Sequence, residues 1–190
     1  MIELKNIDFS YDEKPVLQNY NLKVRNGECV CLKGPSGCGK TTVFRLISGL
    51  ETAQNGTVLA PQKISVVFQE NRLLPMLSVK KNVFLAIEKE QRTKAIEMLK
   101  EAGLEEAISK PVAELSGGMK RRVAIVRALC FGGEALLLDE PFNAIDRENK
   151  QKMANLIKRE FLDKGKFVLL STHVDEDAEL LSARIVVFPT

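Results

Sequence analysis

Gly34-Pro35-Ser36-Gly37-Cys38-Gly39-Lys40-Thr41-Thr42 fits the phosphate-binding pattern G-x-x-x-x-G-K-[ST], and the rest of the chain is read outward from it. Its glycines let backbone N–H groups turn inward and approach an anion closely. Lys40 can reach the terminal phosphates of a nucleotide. The Thr41 hydroxyl can ligate a divalent cation, and Thr42 can add a phosphate contact. Upstream, Cys29-Val30-Cys31-Leu32 reads as a buried strand; downstream, Val43, Phe44, Leu46 and Ile47 recur at helical spacing. Strand, loop and helix is the context such a loop requires, and the helix N-terminus adds a positive dipole end.

The chain has 190 residues, enough for one large domain or one domain with an inserted lobe. Its net charge of +3 makes no case for nucleic acid, whose partners carry a concentrated basic patch. The densest basic cluster, Lys120-Arg121-Arg122, reads as a solvated helix face or a partner contact. No apolar run approaches the roughly 18 residues of a membrane span. Met1-Ile2-Glu3-Leu4-Lys5 is no secretory signal, so a cytoplasmic protein is expected. The four cysteines form no disulfide or C-x-x-C pattern. Cys29 and Cys31 are expected to share one strand face, whereas Cys38, beside Lys40 and a helix start, is the expected reactive thiol.

Ile2–Asp8 and Val16–Val24 alternate as a strand pair, and Gly56–Leu59 and Ile64–Phe68 read as two further strands. From Val79 to Cys130 the pattern is helical, with Gly103 as a C-cap. Strand character returns at Ala135–Leu138, Phe167–Leu170 and Ile185–Phe188, with a helix over Arg147–Leu162. The expected fold is α/β: a mainly parallel core sheet, an N-terminal antiparallel β subdomain and an inserted α-helical lobe. One domain over 1–190 is expected, with 1–70 and 131–190 as core and about 71–130 as lobe. The last strand is expected to stop at Phe188-Pro189-Thr190, without a regulatory C-terminal domain.

Ala135-Leu136-Leu137-Leu138-Asp139-Glu140-Pro141 is an apolar strand ending in two carboxylates. The C-terminal end of such a strand is where open α/β sheets place ligands. Asp139 can hold a cation there, and Glu140 can activate an attacking water. Leu115-Ser116-Gly117-Gly118-Met119 opens a helix with a capping serine and exposed N–H groups. One chain has no evident need for two anion-binding helix ends. Two chains packed head to tail would use both on one nucleotide.

These motifs, in this order, resemble the nucleotide-binding subunits of ATP-binding cassette (ABC) transporters over essentially the whole chain. The resemblance implies a P-loop ATPase core and further roles. Tyr11 is similar to the aromatic that stacks on adenine, with Val16 nearby. Gln69 is similar to the glutamine that contacts Mg²⁺ and the attacking water, and Ser116, Gly117 and Gly118 to the signature that meets the partner's ATP. Asp146, in Asn143-Ala144-Ile145-Asp146, resembles the D-loop. His173, the one histidine in the chain, resembles the γ-phosphate switch. Met119 before a basic run and Val123-Ala124, Phe68-Gln69-Glu70-Asn71-Arg72-Leu73-Leu74-Pro75, and Asp139-Glu140-Pro141-Phe142 are similar to the nitrate, sulfonate and taurine importer group. Asn143, Ile145 and Val174 depart from the usual family residues.

The implied protein hydrolyses ATP with Mg²⁺ as a head-to-tail dimer. Permease subunits would hold it at the inner face of the cell membrane, and an extracytoplasmic solute-binding protein would complete the complex. Lys40, Gln69, Glu140 and His173 are the implied catalytic residues, and Thr41, Gln69 and Asp139 the metal ligands. The exposed-looking Leu73, Leu74 and Met76 would dock a permease helix. A non-transport ABC ATPase, a regulatory nucleotide-binding module and a small P-loop kinase are the competing readings.

Overall fold

The structure is a computed structural model that describes residues 1–188; the expected stop at Pro189-Thr190 lies outside the described residues. The described residues form two sheets. The first is antiparallel, in the order β2 (Lys14–Val24), β1 (Ile2–Tyr11), β4 (Asn55–Leu59). The second is parallel, in the order β5 (Ile64–Val67), β6 (Ala135–Asp139), β7 (Phe167–Ser171), β3 (Cys29–Lys33), β8 (Arg184–Val187). The strand pair at the N-terminus is longer than its alternating core, because Tyr11 pairs with Lys14 across a tight turn.

The parallel strands are continuous apolar runs because both sheet faces are covered. Side chains alternate across the faces. Cys29, Cys31, Leu136, Leu138, Val168 and Leu170 enter one core. Val30, Leu32, Ala135, Leu137, Phe167 and Leu169 enter the other. The first core also holds α2 (Val79–Phe84), α3 (Arg92–Glu101), α4 (Gly117–Phe131) and α5 (Arg147–Glu160). The second holds α1 (Lys40–Ile47) and the antiparallel sheet. The shared face of Cys29 and Cys31 is as expected, and α5 ends two residues short of Leu162 before a 3-10 turn.

The segment between β5 and β6 is helical, with 3-10 turns and a lone bridge from Ser78 to Pro111. Gly103 follows α3 at φ 68°, a left-handed position that a side chain would strain. Charged pairs tie α3 to α5: Lys94 to Glu160 at 2.6 Å and Arg159 to Glu101 at 2.7 Å. Lys164 at 2.6 Å and Arg159 at 3.1 Å also meet Glu160, which is buried. Burial would raise the Glu160 carboxyl, but hydrogen bonds from Lys164, Lys94 and Arg159 outweigh it and hold the group down at about 2.

Candidate active site

Four neighbouring parallel strands end on the same edge, and each delivers a candidate residue. Gln69 follows β5, Asp139 and Glu140 end β6, Ser171 ends β7 with His173 two residues on, and the loop 34–39 follows β3. Asp139 pairs in register with Ser171, and Ser171 with Leu32, so three strand ends form one row. The alternation that buries Ala135 and Leu137 on the α1 face puts Asp139 on that face too. Its carboxylate therefore meets α1: Thr41 Oγ1 donates to Asp139 Oδ2 at 2.7 Å, across 98 residues of sequence. Ser171, on the same face of β7, donates from Oγ to the other oxygen, Oδ1.

The loop itself is closed around its lysine. Lys40 is buried, and its Nζ donates to the carbonyls of Gly34 at 2.8 Å and Pro35 at 2.9 Å. An ammonium held on neutral carbonyls is free to move to a phosphate, which binds it more strongly. Gly39 caps α1 at φ 108°, and a Cβ there would stand 3.0 Å from Leu17 and 3.1 Å from Val16. Pro35, Ser36, Gly37 and Thr41 are exposed and Thr42 is buried. Cys38 is half-buried with Sγ 3.8 Å from Lys40 Nζ. Burial pushes the other thiols up: Cys29 and Cys130 to about 12, Cys31 to about 11.

Glu140 turns off the strand at φ 50°, an uncommon conformation for a side-chain-bearing residue. Its N–H donates to the Ser171 carbonyl at 3.1 Å. His173, exposed on the outer side, brings Nε2 to 2.9 Å from Glu140 Oε1. The pair lacks hydrogen-bond alignment, and Oε1 is otherwise buried and unpartnered. Burial pushes the Glu140 carboxyl up and Asp139 adds to this, while His173 and Lys40 oppose it. Gln69 lines a cleft of about 170 Å³ with Thr41 and Asp139. Hydroxyl, carboxylate and amide oxygens are the hard donors that a small divalent cation takes. Among the described residues no three His, Cys, Asp or Glu side chains cluster for a metal, so such an ion would rely on this mixed set and on its ligand.

Tyr11, Val16 and Gly37 line one open cleft beside the loop. The Tyr11 ring packs edge-on against Phe9 at 4.8 Å, and Arg45 donates to its hydroxyl at 3.3 Å. Ser116 caps α4, its Oγ accepting from Met119 N at 3.2 Å, and Ser116 and Gly117 are exposed. Gly118 touches the Ala144 carbonyl; a Cβ would stand 2.2 Å from that oxygen. Asp146 is exposed and caps α5, accepting from Asn149 N at 3.0 Å. Among the described residues, the side chains of the phosphate loop bond to Asp139 and to the loop itself, with none bonded to Ser116–Gly118 or Asp146.

Three residues escaped the sequence reading. Ser171 looks like the end of an apolar strand, and only the register reveals that it faces Asp139. Arg121 and Arg122 were expected on a solvated face or at a partner contact. Both are buried, at 4% and 8% exposure, because their guanidinium groups meet backbone carbonyls inside the molecule. The unbroken burial of α4 from Arg121 to Val126 is the reason: a helix enclosed by neighbours has no solvated face over these turns.

Loop, strand-end carboxylates and capped glycine helix together define an ATPase cassette. The chain belongs to the ABC transporter family, whose model matches residues 17–143, and it is an ATP-binding and ATP-hydrolysing member of it. It is 40% identical to the taurine import ATP-binding protein TauB of Escherichia coli (strain K12), over 98% of this chain and 78% of that one. The dimeric post-hydrolysis structure of the ATP-binding cassette MJ0796 bound to ADP and Pi superposes with a TM-score of 0.87. Its identity is 32%, over 99% of this chain and 94% of that one. An ATP-binding subunit of an ABC transporter matches with a TM-score of 0.90 at 25% identity, covering 99% and 85%. Among the described residues no helix is long and apolar enough to cross a membrane.

Proposed function

We propose that this chain is the ATPase subunit of an importer for taurine or a related small sulfonate, and that two copies work head to tail on permease subunits. The 40% identity to taurine import proteins supports the substrate class. The observation that carries the ATPase reading is the row of Thr41, Asp139, Ser171 and Glu140 along one sheet edge. The supply of substrate from an extracytoplasmic binding protein, and a place at the inner face of the membrane, follow from this reading. So does the division into a core of 1–70 and 131–190 and a lobe of about 71–130.

Each residue has a defined task. Gly34, Pro35, Ser36, Gly37, Cys38 and Gly39 wrap the phosphates with backbone N–H groups, and Lys40 leaves its carbonyls for the β- and γ-phosphate oxygens. Thr42 supports the loop from the buried side of α1. Thr41, Asp139 and Gln69 would hold Mg²⁺, which when bound neutralises phosphate charge. Glu140 takes the proton of the attacking water, and its raised carboxyl is a stronger base than an exposed glutamate. His173 orients that carboxylate from 2.9 Å. Tyr11 and Val16 receive the adenine. Ser116, Gly117 and Gly118, with the Asp146 segment, complete the site of the partner copy.

The permease would dock on the loop after Gln69. Leu73 folds inward, but Leu74 and Met76 are exposed, Met76 at 85%. Buried Asn82 pins this loop by its backbone: its side chain accepts from Leu74 N at 2.7 Å and donates to the Leu74 and Leu77 carbonyls. The apolar side chains are therefore presented outward on a rigid frame, as a helix-in-groove contact requires.

The test is Glu140→Gln, which keeps shape but removes the base. Nucleotide affinity is expected within about threefold of wild type and turnover down by about 10³-fold, the range for a lost general base. Radioactive ATP hydrolysis beside a fluorescent-nucleotide titration measures both. Turnover near the wild-type rate would remove Glu140 from the mechanism.

A further inference from the structure

We infer that Arg121 is a positioning residue for hydrolysis: one buried guanidinium ties the signature helix to both the Gln69 loop and the backbone of the Asp139-Glu140 pair. The inference rests on the catalytic roles proposed above for Glu140 and Gln69.

Arg121 lies in the second turn of α4, five residues after the cap Ser116. Its Nε donates to the Pro141 carbonyl at 3.2 Å. Nη2 donates to the carbonyls of Asp139 and Glu140, the latter at 2.9 Å. Nη1 donates to the Phe68 carbonyl, to that of Gln69 at 3.4 Å and to Asn71 Oδ1 at 3.2 Å. Three segments that are distant in sequence thus meet on one side chain. No pair of smaller donors reproduces this, since only a planar fork with five N–H groups points three ways from one carbon.

The burial makes the arrangement costly to hold and costly to break. Removing a guanidinium from water disfavours its charge, and burial lowers the Arg121 group to about 10 despite nearby Asp139 and Glu140. It remains a cation at neutral pH. The Asp139, Glu140 and Pro141 carbonyls it serves are also buried, and its loss would take a charged donor from each, leaving Glu140 only the long bond from Asn143 N at 3.4 Å. One of them belongs to Glu140, whose φ of 50° is stable only when the surroundings hold it. Arg121 therefore fixes the angle at which the Glu140 side chain leaves the strand.

The same helix grips the neighbouring loop again. Arg127 donates from Nη2 to the Asn71 carbonyl at 3.0 Å and from Nη1 to the Arg72 carbonyl at 2.8 Å. Arg72, itself at φ 47°, stacks on the Phe68 ring at 3.9 Å. The loop from Phe68 to Arg72 thus moves with α4, while Arg121 alone extends the link to Glu140. A shift of α4 relative to the sheet is transmitted to the base and to the Gln69 loop together. A displacement of about 1 Å at a reacting group lowers a rate by about 100-fold, so this link is strong enough to gate turnover.

The experiment compares full-length wild type, Arg121→Met, Arg121→Lys, Lys120→Met and Glu140→Gln with Mg-ATP as substrate. The number of sites from a fluorescent-ATP titration normalises each rate, so unfolded protein does not count. Arg121→Met is expected to lower kcat per site by about 30-fold with KM within about threefold, somewhat less than the roughly 100-fold of a full 1 Å misplacement. Arg121→Lys keeps the charge but not the fork, and its kcat is expected to fall about tenfold at unchanged KM. Lys120→Met is expected to match wild type. If Arg121→Met does not fold, Arg121→Lys decides by the same two readings. The inference is overturned by a kcat per site within twofold of wild type in the variant that folds. It is equally overturned if site number and melting temperature fall while kcat per site is constant, the signature of a purely structural role. Inactive Glu140→Gln beside active Arg121→Met rejects this inference alone; active Glu140→Gln rejects the assignment of the base on which it rests.

Discussion

The chain offers two glycine-rich helix starts, and they are built differently. At the start of α1 the polar groups are already engaged within the chain: Lys40 on the Gly34 and Pro35 carbonyls, Thr41 on Asp139. At the start of α4 only the cap is made, from Ser116 to Met119, and Ser116 and Gly117 face outward. On the proposed reading the first is a nearly complete site, because its lysine and carboxylate already lie beside the place of a phosphate and its counter-ion. On that same reading the second is half of a site. A helix N-terminus that presents exposed N–H groups can take an anion brought to it by another surface. The difference separates what one copy does alone from what needs two.

The sharpest break of that comparison is Lys40→Ala. Two charge-assisted phosphate contacts at about 2 kcal/mol each predict a loss of ATP affinity of about 10³-fold. Isothermal titration with Mg-ATP measures it, and a loss below tenfold would mean that the α1 end is not the primary site. Ser116→Arg probes the other end. It leaves binding to a single copy within about twofold but lowers turnover by about 100-fold, the low end for loss of a preorganised donor. A light-scattering measurement of the ATP-bound dimer in the Glu140→Gln background accompanies the rate. Equal losses of binding and turnover would place Ser116 in the same copy's site and erase the contrast.

The smallest effect concerns the frame that holds the two helix starts in one body. Glu160, on α5, meets Lys94 of α3, and its folded carboxyl is held down at about 2. A group depressed in the folded state stabilises above its unfolded value near 4.5 and loses that contribution as pH falls toward 2. Wild type should therefore lose more melting temperature between pH 6 and pH 3 than Glu160→Gln does. The excess should be about 2–4 °C, equivalent to roughly 1 kcal/mol in a chain of this size. Parallel pH dependences would show that the α3–α5 link is not electrostatic.

Much of this was legible from local pattern. The apolar run Ala135–Leu138 ending in Asp139 and Glu140 needs no partner to be read as a buried parallel strand, because burial on both faces leaves its mark residue by residue. The capped start of α4 was legible for the same reason: Ser116 and Met119 are three residues apart. Lys120-Arg121-Arg122 misled because charge in sequence says nothing of what the charge meets. Lys120 is half-buried, while Arg121 and Arg122 go inside.

The sequence by itself determined the elements, the phosphate loop and the carboxylate strand, since each rests on contacts or periodicities within a few residues. Tertiary structure alone decided that β7 lies between β3 and β6, so that the Ser171 hydroxyl reaches Asp139. It also decided that Arg121 meets carbonyls from the ends of β5 and β6. Strand order and the partners of a buried cation are set by packing between segments about 18 to 53 residues apart and more. That packing energy belongs to the whole fold, and no local stretch of sequence carries it.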